Sequence, residues 1–134
     1  MLIWRDAIEF EEYGGWKKDT QFTHLIGSAC LLACETPGKP VENARTVIRV
    51  PQDGHYRLWI RNRNWYVPYA PGRFRVAVDG KYAENVLGAL PTGRWVWQVA
   101  DDFELKEGEH ILELGDLPGY FGRCSTIILT DDMD

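Results

Sequence analysis

The residues best equipped for chemistry fall between positions 61 and 73. The run Arg61-Asn62-Arg63-Asn64-Trp65-Tyr66-Val67-Pro68-Tyr69-Ala70-Pro71-Gly72-Arg73 packs aromatic rings, amides and guanidinium groups into one loop-like stretch. A sugar ring offers a C–H face that packs on an aromatic ring, and a belt of hydroxyls that pair with amides and charged groups. Trp65, Tyr66 and Tyr69 suit the stacking role and Asn64 the pairing role. Arg61, Arg63 and Arg73 are the type of side chain that grips a carboxylate through two parallel hydrogen bonds. A second cluster, Gly119-Tyr120-Phe121-Gly122-Arg123, reads as another loop. If both loops occupy one end of the fold, Tyr120, Phe121 and Arg123 complete a groove. Two other arrangements fit the same residues: the first loop folds back and buries Trp65 and Tyr69, its prolines only stiffening it, or it docks on a partner domain.

Catalytic equipment is sparse. His24, His55 and His110 are scattered, and their spacing resembles no zinc site. No glycine-rich loop precedes a helix, and no serine or cysteine sits in a nucleophile elbow. Paired carboxylates can be drawn from any chain with twenty acidic residues, so they carry no weight without geometry. The expectation is a binding domain rather than an enzyme. Nucleic acid is disfavoured as the ligand: aromatics with arginines also describe a single-strand binder, but a net charge of -5 repels phosphate.

That net charge is unevenly spread. Between Arg57 and Arg94 stand seven basic residues (Arg57, Arg61, Arg63, Arg73, Arg75, Lys81, Arg94) and two acidic ones (Asp79, Glu84), a local +5 against -10 elsewhere. Such a field suits an anionic ligand; the alternative is solvated strand faces balanced by neighbouring acids. At 134 residues the chain has room for one core, which gives a single domain over 1–134. There is no apolar run of membrane-spanning length. The start, Met1-Leu2-Ile3-Trp4-Arg5-Asp6, lacks the pattern of a secretory signal. The chain is then either cytoplasmic or, as the preferred expectation, a piece of a longer, secreted or periplasmic protein. Cys30, Cys34 and Cys124 form no even-numbered framework and read as buried thiols.

The elements that must position these groups are strands. No window of twelve residues keeps helical apolar spacing free of Gly and Pro. Short strands are expected at 7–13, 29–34, 45–50, 56–63, 73–79, 94–99, 103–105, 109–114 and 126–130, separated by turns such as Pro51-Gln52-Asp53-Gly54, Asp79-Gly80 and Glu107-Gly108. The fold class that follows is an all-β antiparallel sandwich. Alternation points Tyr56, Leu58 and Ile60 inward with Arg57, Trp59 and Arg61 outward, and Phe74, Val76 and Val78 inward with Arg73, Arg75 and Asp79 outward. The arginines of the two strands merge into one patch only if those strands are neighbours. Trp95, Trp97 and Val99 share a face, assigned to the core, with an exposed stacking face as the alternative.

Several segments together resemble a known family. Ile8-Glu9-Phe10-Glu11-Glu12-Tyr13-Gly14-Gly15-Trp16, Tyr56-Arg57-Leu58-Trp59-Ile60-Arg61, Pro71-Gly72-Arg73-Phe74, Val78-Asp79-Gly80, Gly108-Glu109-His110 and Ile127-Ile128-Leu129-Thr130 are similar, in order and over nearly the whole chain, to jelly-roll carbohydrate-binding modules of the galactose-binding-like superfamily. Such modules are appended to bacterial polysaccharide-degrading enzymes and FAD-dependent oxidoreductases. The resemblance implies a non-catalytic module that binds a polysaccharide or oligosaccharide, an acidic one if the arginines take part, and targets a linked catalytic domain to it. The alternative is a structural domain that packs on a catalytic domain or on its own copy. The resemblance also implies a structural calcium held through Glu9 and Glu11. Relatives place an Asp before the final Ile pair, where this chain has Ser125-Thr126, so Asp131 and Asp132 would have to compensate; otherwise Glu9 and Glu11 are solvated edge-strand residues.

Overall fold

The computed structural model describes residues 2–33 and 36–132, so the expectation for Cys34 lies outside the described residues. Among the described residues ten strands build two antiparallel sheets. They are β1 Leu2–Asp6, β2 Trp16–Asp19, β3 Cys30–Ala33, β4 Ala44–Val50, β5 Gly54–Arg63, β6 Phe74–Val78, β7 Lys81–Tyr82, β8 Trp95–Leu105, β9 Gly108–Asp116 and β10 Gly122–Thr130. The first sheet runs β2-β3-β10-β5-β8, with β1 also paired to β10; the second runs β4-β9-β6-β7. β1 and β3 share one edge of β10. Leu2–Asp6 lies along Thr126–Thr130, and Leu31–Ala33 along Gly122–Cys124.

Alternation decides the core. Tyr56, Leu58, Ile60, Phe74 and Val76 are fully enclosed, and Val78 nearly so, as their spacing in the sequence requires. Each such side chain contributes roughly 1.5–3 kcal/mol by leaving water. Beneath the loops of interest the two sheets meet edge-to-face through Trp16 of β2 and Phe74 of β6, 5.5 Å apart. Asn62, buried in the same region, accepts the Gly88 amide at 2.8 Å and donates to the Ile60 carbonyl at 3.1 Å. Gly88 needs its lack of a side chain: φ is +75°, and a Cβ there would stand 2.3 Å from the Gly72 carbonyl oxygen.

Four expectations change. The strand foreseen over 7–13 is instead a single 3-10 turn, Ala7–Glu9, because Asp6 caps it and Glu9 reaches back to the Asp6 amide at 3.0 Å. The segments 94–99 and 103–105 are one strand, β8, with a register shift opposite Leu58 and Trp59 that absorbs Ala100. Trp95, Trp97 and Val99 do not line the core: Trp97 pairs with Arg61 and Val99 with Trp59, so they share those residues' outward face. Finally, β5 and β6 lie in different sheets, so Arg61 and Arg75 look away from opposite sides of the sandwich and cannot form one patch.

Candidate functional site

The loop after β5 is held from within. Asn64 is buried; its amide donates to the Leu90 carbonyl at 3.0 Å and its carbonyl accepts the Tyr66 amide at 3.3 Å. Asn64 is therefore a pin of the loop rather than a group open to a ligand. The Tyr66 carbonyl accepts the amides of Tyr69 and Ala70, which closes a tight turn around Pro68. That turn sets the Tyr66 and Tyr69 rings in a stack, centroids 5.4 Å apart and planes 24° from parallel, with 46% and 76% of their surfaces exposed.

Trp65 ties this loop to the one before β10. Its indole N–H donates to the Tyr120 carbonyl at 2.9 Å, and its ring meets Phe121 edge-on at 5.7 Å. Gly72 makes the approach possible, since a Cβ there would sit 2.8 Å from the indole. The Tyr120 side chain, part exposed, packs over Gly38. Ala70 (φ +43°) and Phe121 (φ +63°) adopt left-handed backbone, where residues other than glycine are strained. The two loops do lie side by side, and the rings of Trp65, Tyr66 and Tyr69 form one aromatic ledge, Trp65 the least exposed of them.

The arginines divide. Arg61, Arg63 and Arg123 stand on the outer face of the first sheet, next to the ledge. Arg123 lies 5.8 Å from the Trp65 ring centre and 5.6 Å from Phe22; Arg63 lies over Phe22 at 4.6 Å; Arg61 lies over Trp97 at 6.0 Å and donates to the Ile26 carbonyl at 3.5 Å. Arg73 does not join them. It is exposed ahead of β6, in the other sheet, where its carbonyl accepts the Leu117 amide. Burial, with repulsion from Arg63 adding to it, draws the Arg123 pKa below its ordinary value.

Sequence reasoning missed Phe22. The connection between β2 and β3 carries a single helical turn, α1 Thr23–Ile26, and lays Phe22 between Arg63, Arg123 and Trp95, the last at 5.6 Å. Also unforeseen is an apolar surface farther along the same sheet. There Trp4 (54% exposed) meets Trp97 edge-on at 6.0 Å, beside Leu2, Trp59 and Ile128. The alternation of Leu2-Ile3-Trp4 was a usable signal for it.

Glu9 and Glu11 do not form a cation cradle. Glu9 is spent on the Asp6 amide, and Glu11 lies 3.5 Å from the Arg5 guanidinium. Arg5 crosses from β1 to the edge of the other sheet, donating to the Thr46 hydroxyl at 2.5 Å and the Val47 carbonyl at 3.2 Å. A hydrogen bond from Thr46 holds Glu11 below the usual carboxylate range, against a smaller opposing effect of burial. Among the described residues no three His, Cys, Asp or Glu side chains converge. Calcium takes six or more oxygens, and the place beside Glu11 already holds a positive charge, so these residues do not fit the ion.

The one His–carboxylate pair with catalytic-looking geometry among the described residues is His110 with Asp79, 2.5 Å apart. The other His110 nitrogen faces the Lys106 carbonyl at 2.7 Å, so neither is free for a substrate proton. Cys30 is buried and its thiol is pushed up to about 12, chiefly by burial; burial raises Cys124 as well, so neither is a nucleophile at neutral pH.

Comparison with solved structures finds this architecture repeatedly. The chain aligns over 99% of its length with 28% of a Podospora anserina beta-(1,4)-mannanase that combines a family 26 glycoside hydrolase with a family 35 carbohydrate-binding module, at TM-score 0.74 and 18% identity. A family 35 carbohydrate-binding module from Clostridium thermocellum matches 98% of the chain over 99% of its own length, at TM-score 0.73 and 15% identity. The C-terminal family 6 module of a marine laminarinase from Zobellia galactanivorans matches 97% of the chain over 99% of its own, at TM-score 0.73 and 15% identity. No family model matches the sequence, and no curated protein matches it. At these identities the likeness establishes the fold alone, an antiparallel β-sandwich of the jelly-roll kind.

Proposed function

We propose that this chain is a non-catalytic carbohydrate-binding module whose ligand lies across the ledge of Tyr66 and Tyr69, backed by Trp65. The observation that carries this reading is the stacked and strongly exposed Tyr66–Tyr69 pair on a loop pinned by Asn64 and Trp65. Exposed rings cost solvation, and a loop built to hold two of them rigid spends no further entropy when a sugar face covers them. The fold is that of modules attached to polysaccharide-active enzymes, which supports a polysaccharide ligand, a linked catalytic domain in a longer parent and a secreted or periplasmic setting. The Arg63 and Arg123 guanidiniums beside the ledge favour an acidic polysaccharide.

Affinity electrophoresis through gels cast with mannan, xylan, β-glucan, galactan or polygalacturonate tests the proposal. At least one polymer retards the protein, and Tyr69→Ala, at a position 76% exposed, removes the retardation while stability changes by no more than a surface substitution, about 0.5 kcal/mol. Retardation that survives both Tyr69→Ala and Tyr66→Ala refutes the ledge as the site. The apolar surface of Leu2, Trp4 and Trp97 favours a second reading, a domain that packs on a partner or on its own copy. Dimers in light scattering that Trp4→Ser dissolves, with no polymer binding, would select it.

A further inference from the structure

Between the α1 turn and the segment leading into β8 lies a groove of about 370 Å³, lined by Leu25, Arg61, Arg63, Gly93, Arg94 and Trp95. It holds three cations and no anion. Three arginines elsewhere are matched, since Arg5 faces Glu11, Arg45 faces Glu12 and Glu113, and Arg57 faces Asp102, all within 3.5 Å. Among the described residues, Arg61, Arg63 and Arg94 have no carboxylate within ion-pair distance, and the Arg63 Nε is enclosed with no hydrogen-bond partner. Arg63 also shares the Phe22 ring with Arg123, so two guanidiniums are held against one ring. Like charges gathered without a counter-ion are unfavourable in the free protein, and an anion in the groove relieves them.

We infer that this groove is a second subsite, which takes the anionic oxygens of an acidic sugar, with Arg61, Arg63 and Arg94 as donors and Trp95 as the wall for the ring. The inference rests on the reading of the ledge as a sugar platform. The two places are joined by a continuous stack from Trp65 to Arg123 (5.8 Å), Arg123 to Phe22 (5.6 Å) and Phe22 to Arg63 (4.6 Å), a path that an oligosaccharide of a few units follows. Guanidinium forks suit carboxylate and sulfate equally, so the shared chemistry is an oxyanion carried on a sugar. A groove walled by an aromatic ring and an apolar side chain favours a sugar-borne anion over a bare one.

The test compares retardation of the full chain by polygalacturonate, a sulfated galactan and a neutral galactomannan, at low and high salt. At least one acidic polymer is expected to bind more tightly than the neutral one, in a salt-sensitive manner. The triple variant Arg61→Gln, Arg63→Gln, Arg94→Gln should lose about tenfold or more toward it, the loss of charge-assisted hydrogen bonds, without change toward the neutral polymer. Arg94→Gln alone, at an exposed position, gives the same direction if the triple variant fails to fold. Retention by polygalacturonate alone assigns a carboxylate, by the galactan alone a sulfate ester. Equal binding of acidic and neutral polymers, acidic binding indifferent to the arginine changes, or tighter arginine-dependent binding of single-stranded DNA overturns the groove. None of these results touches the ledge, which stands or falls with Tyr69→Ala.

Discussion

Replacing Trp65 by alanine separates a ring that merely faces solvent from one that joins two loops. Trp65 keeps 37% of its surface exposed; the rest is lost to Phe121, Arg123 and the backbone at Gly72. A ring of this size covers roughly 200 Å² or more when fully enclosed, so at about 25 cal/mol per Å² the covered share is worth about 3 kcal/mol. The hydrogen bond to the Tyr120 carbonyl adds about 1 kcal/mol, while a compact denatured state trims the first figure. Trp65→Ala should therefore destabilise by about 3 kcal/mol, roughly 10 °C in Tm for a chain of this length. Trp65→Phe, which keeps the ring and removes the N–H, should cost about 1 kcal/mol. Calorimetry and urea unfolding of both variants provide the measurement. If Trp65→Ala melts within 2 °C of the parent, about the scatter of a surface change, the coupling between the two loops is refuted and Trp65 is simply another platform ring.

Three further outcomes follow from the geometry. Burial pulls the His110 pKa down, but the Asp79 carboxylate and the Lys106 carbonyl outweigh it and hold it above the ordinary 6.5. Burial likewise raises Asp79, and its bonds to His110 and the Ile111 amide more than reverse this, leaving it below 3.8. The His110 contribution is thus complete below pH 6.5 and fades as pH climbs through the raised value; the Asp79 contribution is complete above 3.8 and fades below it. Tm should be highest between these limits, and His110→Gln should flatten its alkaline decline; an unchanged decline in that variant contradicts the pair. Chelation with EDTA should leave Tm unaltered, whereas Arg5→Ala, which frees Glu11, Thr46 and the Val47 carbonyl, should destabilise the fold by about 1–3 kcal/mol; a large chelator effect would restore a metal to the edge. Gly88→Ala should cost more than about 2 kcal/mol, since it combines positive φ with a clash on the Gly72 carbonyl, and a neutral result by urea titration would count against that backbone contact.

The core was legible because period-two alternation marks it directly: Tyr56, Leu58 and Ile60, then Phe74, Val76 and Val78, each close one inner face. The face of Trp95 and Trp97 was not, because alternation gives two faces without saying which one is inside. Only the pairing of Gln98 with Ile60, both pointing inward, settles it. The residue types of 7–13 suggested a strand, yet the Asp6 and Glu9 capping pair turns the backbone into a 3-10 turn and separates the Glu9 and Glu11 carboxylates. At the ledge, the composition of 65–69 and 120–123 marked two loops that the structure lays side by side. It could not reveal that Asn64 turns inward, that Arg73 belongs to the opposite sheet, or that Phe22 crosses over from the β2–β3 connection, since each depends on which strands become neighbours.

The shared edge of β10 has a mechanical consequence. Leu2 lies opposite Thr130, so the outer ends of β1 and β10 leave the sandwich together, while Gly122, where β10 begins, adjoins the aromatic ledge. The nine residues of β10 would put about 30 Å between a ligand on the proposed ledge and any tether attached beyond Thr130. Tension from ligand to tether therefore runs along a strand flanked on both sides and must shear its whole ladder at once. Tension drawn between the two outer ends would instead peel β1 away one rung at a time. Held by one end, the domain meets drag in the direction in which its sheet is hardest to break.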